Sequence, residues 1–259
     1  APPTPADATT MRATPATPPD PPPAAQAPPA APPAVPPAVP PGTEPPPVYA
    51  TRLPPPFTRT YGLRRGAASG LATLQWAPDE TGYTLTLAGE GAAAAVASRR
   101  SEGGFDFAGL APARYSESRR GRELRAVNFR REAGLISYSG PSTLHPLLAG
   151  AQDRLSWMLQ LAAVLAANPA LAEPGAELKM LVAGTRGDAE VWTFAVAGPE
   201  AVELADGRQV AALRLEREPA GPWDWRVQAW LDPADHHLPL RLRLLLRASG
   251  EGSEFLLRP

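Results

Sequence analysis

Leu238-Pro239-Leu240-Arg241-Leu242-Arg243-Leu244-Leu245-Leu246-Arg247 has the pattern of a strand with one buried face. Leu238, Leu240, Leu242, Leu244 and Leu246 fall on one side at period two, with Arg241, Arg243 and Arg247 on the other. Successive strand side chains point to opposite faces, so one face suits a core and the other suits water. The alternation recurs upstream in Tyr83, Leu85 and Leu87, in Leu178, Met180 and Val182, in Trp192, Phe194 and Val196, and in Trp225, Val227, Ala229 and Leu231. Turn-forming residues separate these runs at Pro78–Gly82, Gly103–Gly104, Gly184–Gly187, Asp206–Gly207 and Asp232–Asp235. The pattern predicts a curved antiparallel sheet of roughly eight to eleven strands with one apolar face.

One segment has a different period. Between Gln152 and Asn168, Leu155, Met158, Leu159, Ala162, Ala163 and Ala166 recur at helical spacing. Trp157, Leu161, Val164 and Leu165 carry the apolar surface round most of the circumference. A helix apolar on so many sides is buried on more than one of them. Asp153 is placed in its first turn, where the helix dipole favours an anion, and Asn168–Pro169 ends it. The fold expected is mainly β: a half-barrel or open barrel wrapped around one long apolar helix at about 152–168.

The chain has 259 residues and 35 prolines, about two thirds of them before Phe57. No aromatic residue precedes Tyr49, so residues 1–56 are expected to stay unfolded as a Pro/Ala-rich arm ahead of one β-rich domain over 57–259. Net charge is −1, which offers no global field for nucleic acid or for an anionic membrane. Cysteine is absent, which removes disulfides, thiol chemistry and Cys-based metal sites. The longest apolar run, Leu155–Ala167, is too short to cross a bilayer. A start at Ala1 followed by a Pro-rich linker is the pattern of an exported protein after signal-peptide cleavage, or of one trimmed from an N-terminal membrane anchor. A periplasmic location is therefore expected.

Two stretches resemble known families. Gly150-Ala151-Gln152-Asp153-Arg154-Leu155-Ser156-Trp157, preceded by Gly109-Leu110-Ala111-Pro112-Ala113-Arg114-Tyr115 and followed by Gly184-Thr185-Arg186-Gly187, resembles the bacterial exported family catalogued as domain of unknown function 3108. With Ser69-Gly70, the resemblance covers most of residues 60–259, and it implies no activity. Trp230-Leu231-Asp232-Pro233 followed by Leu238-Pro239-Leu240-Arg241 is similar to a hairpin of periplasmic lipoprotein carriers of the LolA/LolB type. That resemblance implies a half-barrel that holds acyl chains.

Candidate chemistry is sparse. Asp232, Asp235, His236 and His237 are metal-ligand residue types, but adjacent strand histidines diverge and the stretch reads as a turn. No metal site is assigned. Ser139, His145 and Asp153 are triad residue types without a Gly-x-Ser-x-Gly elbow, so no catalytic residue is assigned. Arg114, Arg119, Arg120, Arg122, Arg125, Arg130 and Arg131 form a basic run diluted by Glu117, Glu123 and Glu132. It reads either as a surface for phosphate or lipid headgroups or, preferably, as a solvated strand face with ion pairs. Asp153 and Arg154 open the helix, either at the mouth of a cavity or as a structural pair with backbone amides or with Arg114 or Arg186. Trp230 shares the polar side of its strand with Arg226 and Gln228, beneath a curled sheet edge or on a binding surface.

The leading reading is a non-enzymatic cell-envelope protein that binds a lipid or acyl chain between sheet and helix, without a cofactor. Its candidate ligand-binding residues are Arg114, Tyr115, Asp153, Arg154, Trp157, Arg186, Trp192 and Trp230. It requires an apolar cavity on the order of 300–1,000 Å³, with Trp157 and Trp192 lining it and Arg114 and Arg186 at its mouth. The partner is then a lipid or lipoprotein. The alternatives are a scaffold whose sheet edge pairs with another envelope protein, a structural domain filled by its helix, and a hydrolase of envelope polymers. Oligomeric state is not legible.

Overall fold

The computed structural model describes residues 44–90 and 98–259. The first hairpins are β1 (Phe57–Arg65), β2 (Ala68–Pro78), β3 (Tyr83–Glu90), β4 (Ser98–Asp106), β5 (Gly109–Arg119) and β6 (Arg122–Arg130). Three short strands follow: β7 (Leu135–Tyr138), β8 (His145–Pro146) and β9 (Gln152–Asp153). The helix α1 (Ser156–Ala167) and a 3-10 turn at Pro169–Ala172 come next. The chain then returns to strands in β10 (Glu177–Ala183), β11 (Ala189–Glu203), β12 (Gln209–Arg217), β13 (Trp225–Asp232), β14 (Leu238–Leu246) and β15 (Gly252–Arg258).

All of them form one sheet of 15 strands, ordered β8-β7-β6-β5-β4-β3-β2-β1-β15-β14-β13-β12-β11-β10-β9. Every pairing is antiparallel except β9–β10. The count exceeds the eight to eleven expected from alternation. β4 offers only Phe105 as a large apolar residue, and β8 and β9 are two residues long, so none of the three has a readable period.

No ladder closes the sheet; side chains join its two ends. The Tyr138 hydroxyl donates to the Asp188 carbonyl at 3.0 Å, and His145 Nε2 lies 2.9 Å from the Gly187 carbonyl. Gln152 Nε2 donates to the Leu110 carbonyl at 2.8 Å, tying β9 to β5. α1 meets β5, β10 and β14, strands far apart in the sheet order. Ser156 through Ala166 are all buried, which explains why α1 shows almost no amphipathic bias. Trp76, Trp157, Trp192, Tyr61, Tyr115 and Phe194 are the bulkiest side chains in this core.

The helix is shorter than expected. Gln152 and Asp153 lie in β9, and α1 begins at Ser156. Asp153 acts ahead of the helix rather than within it. Its Oδ1 accepts from the Leu155 and Ser156 amides, both at 2.7 Å, while Ser156 Oγ accepts from the Asp153 amide at 2.9 Å. This reciprocal exchange satisfies donors that a helix start leaves open.

The arm also ends earlier than expected. Residues 1–43 lie outside the described residues, but 44–56 form an extended strap along α1. The Arg52 amide donates to the Ala163 carbonyl at 2.9 Å, and Asn168 Nδ2 donates to the Ala50 carbonyl at 2.8 Å. The Lys179 amide donates to the Tyr49 hydroxyl at 3.0 Å, and Trp76 Nε1 to the Pro54 carbonyl at 3.2 Å. Gly109 permits the approach: at φ +102°, its missing Cβ would stand 2.6 Å from Gln160 Oε1 and 2.7 Å from Thr51. Composition predicted an unfolded segment because these partners are all distant in sequence.

Candidate functional site

Trp157 on α1 stacks on Phe194 of β11, with centroids 5.2 Å apart and planes 16° apart. Trp192, two residues before Phe194 on the same face, lies 5.8 Å from Trp157. Two guanidiniums cover Trp192, Arg154 at 4.5 Å and Arg217 at 4.4 Å from the ring centroid. Arg154 pairs with Asp188. Arg217, 3% exposed, forms a fork with Asp224 at 3.0 and 2.6 Å. The expectation that Trp157 and Trp192 line an open chamber is therefore corrected: the indoles pack against each other, Phe194 and two arginines. The pocket where Trp157 and Met158 meet Leu74, Leu242 and Phe255 of the sheet holds about 10 Å³, space for about one water, against the several hundred required to enclose an acyl chain.

Asp153 is wholly buried beside this cluster. Ser101 Oγ donates to its Oδ2 at 2.5 Å, and the Tyr83 hydroxyl lies 3.1 Å from Ser101 Oγ. Burial pushes the Asp153 carboxyl up to about 6, against the hydrogen bonds from Ser101 and the two amides, which pull it down. Neither Arg114 nor Arg186 reaches it. The Tyr115 hydroxyl, raised far above its ordinary range by burial, donates to Glu117 at 3.1 Å.

At the α1 start the sheet leaves an opening. Its apolar walls are Leu74, Leu87, Leu242, Leu244 and Phe255, with Trp157 and Met158 of α1 at its floor and Arg99 and Arg154 at its edge. Arg99 pairs with Leu87 across β3–β4 and lies two residues from the inward-facing Ser101, so it shares the inner face. It makes no ion pair among the described residues, although Glu117 stands opposite it across β4–β5, and Arg154 Nη1 is buried without a hydrogen-bond partner. Sequence reasoning missed Arg99, because Ser98-Arg99-Arg100-Ser101 has no apolar residue to mark its inner face.

The remaining candidates lie elsewhere. Arg114 is on the outer face, held by Asn128 at 2.5 Å and Glu123 at 2.7 Å. Arg186 is exposed in the β10–β11 turn. Trp230 belongs to a second, outer cluster with Val202, Leu204, Ala212 and Leu240. A bulge between β13 and β14 puts Leu240 there, so the five leucines of β14 do not share one face as alternation predicted. Trp230 Nε1 donates to Glu200 at 3.0 Å, and Arg241 and Arg214 lie over its ring at 4.9 and 5.5 Å.

The triad types are engaged separately. Ser139 Oγ accepts from the Ala126 amide, His145 meets Gly187, and Asp153 is held by Ser101. Among the described residues no cluster of three metal-ligating side chains occurs. Asp232–His237 is a turn in which the His237 amide donates to the Asp232 carbonyl at 2.8 Å and Asp235 pairs with Arg59.

A family model described as "Protein of unknown function (DUF3108)" matches residues 57–251. The chain belongs to the DUF3108 family. The match begins after the strap, so in this DUF3108 protein the strap packs on the matched domain from outside it. A crystal structure of a β-barrel-like protein of domain of unknown function DUF1849 from Brucella abortus is similar in fold, with TM-score 0.50 and 13% identity. It covers 81% of this chain and 98% of that one. MucB aligns at TM-score 0.32 and 16% identity over 81% of this chain and 53% of its own, too low to argue a shared fold. No curated protein matches the chain. No helix among the described residues is long and apolar enough to cross a membrane.

Proposed function

We propose that this domain is a non-enzymatic binding module of the bacterial cell envelope, working in the periplasm. It receives the apolar end of an anionic amphiphile at the opening beside the start of α1. The observation that carries this reading is an apolar-walled opening edged by Arg99, which faces inward without an ion pair among the described residues. A fatty-acid carboxylate or a lipid phosphate would pair with the unbonded Arg99 guanidinium, and Leu87, Leu242, Leu244 and Phe255 would take the first part of the chain. The filled interior favours a shallow seat over enclosure of a whole acyl chain. Sheet-edge pairing with a protein partner has less support, since the terminal strands β8 and β9 are each two residues long.

Titration with a long-chain fatty acid, followed by intrinsic tryptophan fluorescence, tests the reading. Trp157 at the floor of the opening should respond, and Arg99→Gln should weaken binding by about tenfold or more without lowering the melting temperature. No response to the fatty acid, or equal affinity in wild type and Arg99→Gln, would sink it.

A further inference from the structure

The alternating hairpins sort the turns of this sheet into two sets. The β1–β2, β5–β6, β10–β11, β12–β13 and β14–β15 turns all fall at the end where α1 begins. That end carries Arg64 and Arg65 on the first turn, Arg119, Arg120 and Arg122 on the second, and Arg186 on the third. All six are exposed, and none has an ion-pair partner among the described residues. Of the acids at the same end, Asp188 is paired with Arg154, Asp224 with Arg217, Glu123 with Arg114 and Glu218 with Arg226, while Glu90 and Glu251 are exposed without an ion pair among the described residues. Residues 91–97, between β3 and β4, contain no ionisable side chain. The opposite end carries Asp79 and Glu80, Glu132, Asp206 and Asp232 on its turns, with Arg130 and Arg131 beside Glu132 and Arg208 paired with Asp206. A net charge of −1 conceals this separation.

The basic end also presents apolar anchors. Trp223 is 77% exposed on the β12–β13 turn, and Leu124 is 50% exposed beside the β5–β6 turn. The Trp223 turn is held from both sides. Asp224 forms its fork with Arg217, the Arg247 amide donates to the Asp224 carbonyl at 3.0 Å, and the Ala248 amide donates to the Pro222 carbonyl at 2.7 Å. A large exposed indole on a braced turn, at the same end of the sheet as several unpaired guanidiniums, is the composition of an interfacial anchor. Tryptophan favours the headgroup region, and arginine is drawn to anionic lipid.

We propose that this end of the domain docks on an anionic lipid surface, with Trp223 and Leu124 entering the headgroup layer and the turn arginines contacting lipid phosphates. Basic side chains spread over three turns around an indole suit a continuous sheet of charge better than a single small anion. The surface is distinct from the opening edged by Arg99 and Arg154, so docking does not depend on ligand entry there.

The test is flotation of the full chain with vesicles of phosphatidylcholine alone and of phosphatidylcholine mixed with phosphatidylglycerol. Binding is expected only to the mixed vesicles, with loss as salt is raised. The Arg119→Glu/Arg120→Glu/Arg122→Glu variant should lose on the order of a hundredfold in vesicle affinity. Trp223→Ser should lose roughly tenfold. Both should keep the wild-type melting temperature and the fatty-acid response of the Arg99 opening, which separates failure here from failure there. Equal binding to neutral vesicles, no binding to either, or undiminished binding by the triple variant would overturn the proposal. Retention on an anionic polysaccharide column without vesicle binding would overturn the lipid assignment as well.

Discussion

The two ends of the rolled sheet are finished in opposite ways. Where α1 stops, the strap 44–56 lies across the helix and is held by four hydrogen bonds from α1, Asn168, β2 and β10, among acidic turns. Where α1 starts, none of the described residues crosses the helix; an apolar opening is edged by Arg99 and Arg154, with basic turns at the same end. Proline-rich chain suits the first task, because it gives carbonyls to Asn168 and to Trp76 while having few amides of its own to satisfy. Arginine suits the second, because its long stem can line an apolar wall while its head faces an anion. The difference assigns stability to one end and recognition to the other.

The largest effect should come from the packed floor of the open end. Trp157→Ala should cost about 3–5 kcal/mol in chemical denaturation, since the stack on Phe194 and the contact with Trp192 go together. Leu159→Ala, at 1% exposure two residues further along α1, should cost about 2–5 kcal/mol. Less than about 1 kcal/mol for either would show that the interior can collapse onto an empty floor, and the open end would then be adaptable rather than filled.

Next in size is the closed end. A chain beginning at Phe57 should lose about 2–5 kcal/mol relative to one beginning at Glu44, from four hydrogen bonds and the burial of Pro46 and Pro54. The chain beginning at Glu44 should melt with the full-length protein. If removal of 44–56 leaves the melting temperature unchanged, the strap is ornamental and the contrast between the ends fails.

A third prediction concerns pH. The Asp153 carboxyl is raised from 3.8 to about 6 by burial, so between these values the folded state binds more protons than the unfolded one. This contribution to stability is full below the unfolded value and falls away as pH rises, by roughly 3 kcal/mol in total. Asp153→Asn keeps an oxygen for the Leu155 and Ser156 amides and can donate to Ser101. It should flatten the stability profile across that window and stabilise the protein at neutral pH. A wild-type profile that rises between pH 4 and 6 because of Asp153 would contradict the sign.

The smallest effect should be at the basic rim. Arg120→Ser and Arg186→Ser should each change stability by less than about 0.5 kcal/mol, as exposed side chains without ion-pair partners among the described residues. A larger loss would move these residues from recognition to structure and blur the contrast.

Much of this architecture was legible locally. Tyr83–Leu87, Trp192–Val196 and Trp225–Leu231 announced strands, and the run from Leu155 to Ala166 announced a helix buried on more than one side. The site was less so. Arg114 and Arg186 were natural choices for a mouth, yet one is tied to Asn128 and Glu123 on the outer face and the other stands on a turn. Arg99 was invisible because Ser98–Glu102 of β4 is polar on both faces. The basic run Arg114–Arg131 read as one surface, whereas the fold separates an ion-paired outer face, at Arg114, from an unpaired hairpin turn, at Arg119–Arg122.

Period-two and period-3.6 patterns depend only on which way neighbouring side chains point, so the sequence by itself determined a mainly β domain around one helix. The absence of cysteine and of a long apolar run likewise followed from composition alone. Only the tertiary structure decided that residues 44–56 are ordered, that Trp157 and Trp192 fill the interior, and that the turns divide into a basic and an acidic end. Each of these depends on groups brought together from distant parts of the chain: Trp76 with Pro54, Trp157 with Phe194, and Arg64 at the same end as Arg119 and Arg186. Such encounters are set by strand order and register, which no local pattern encodes.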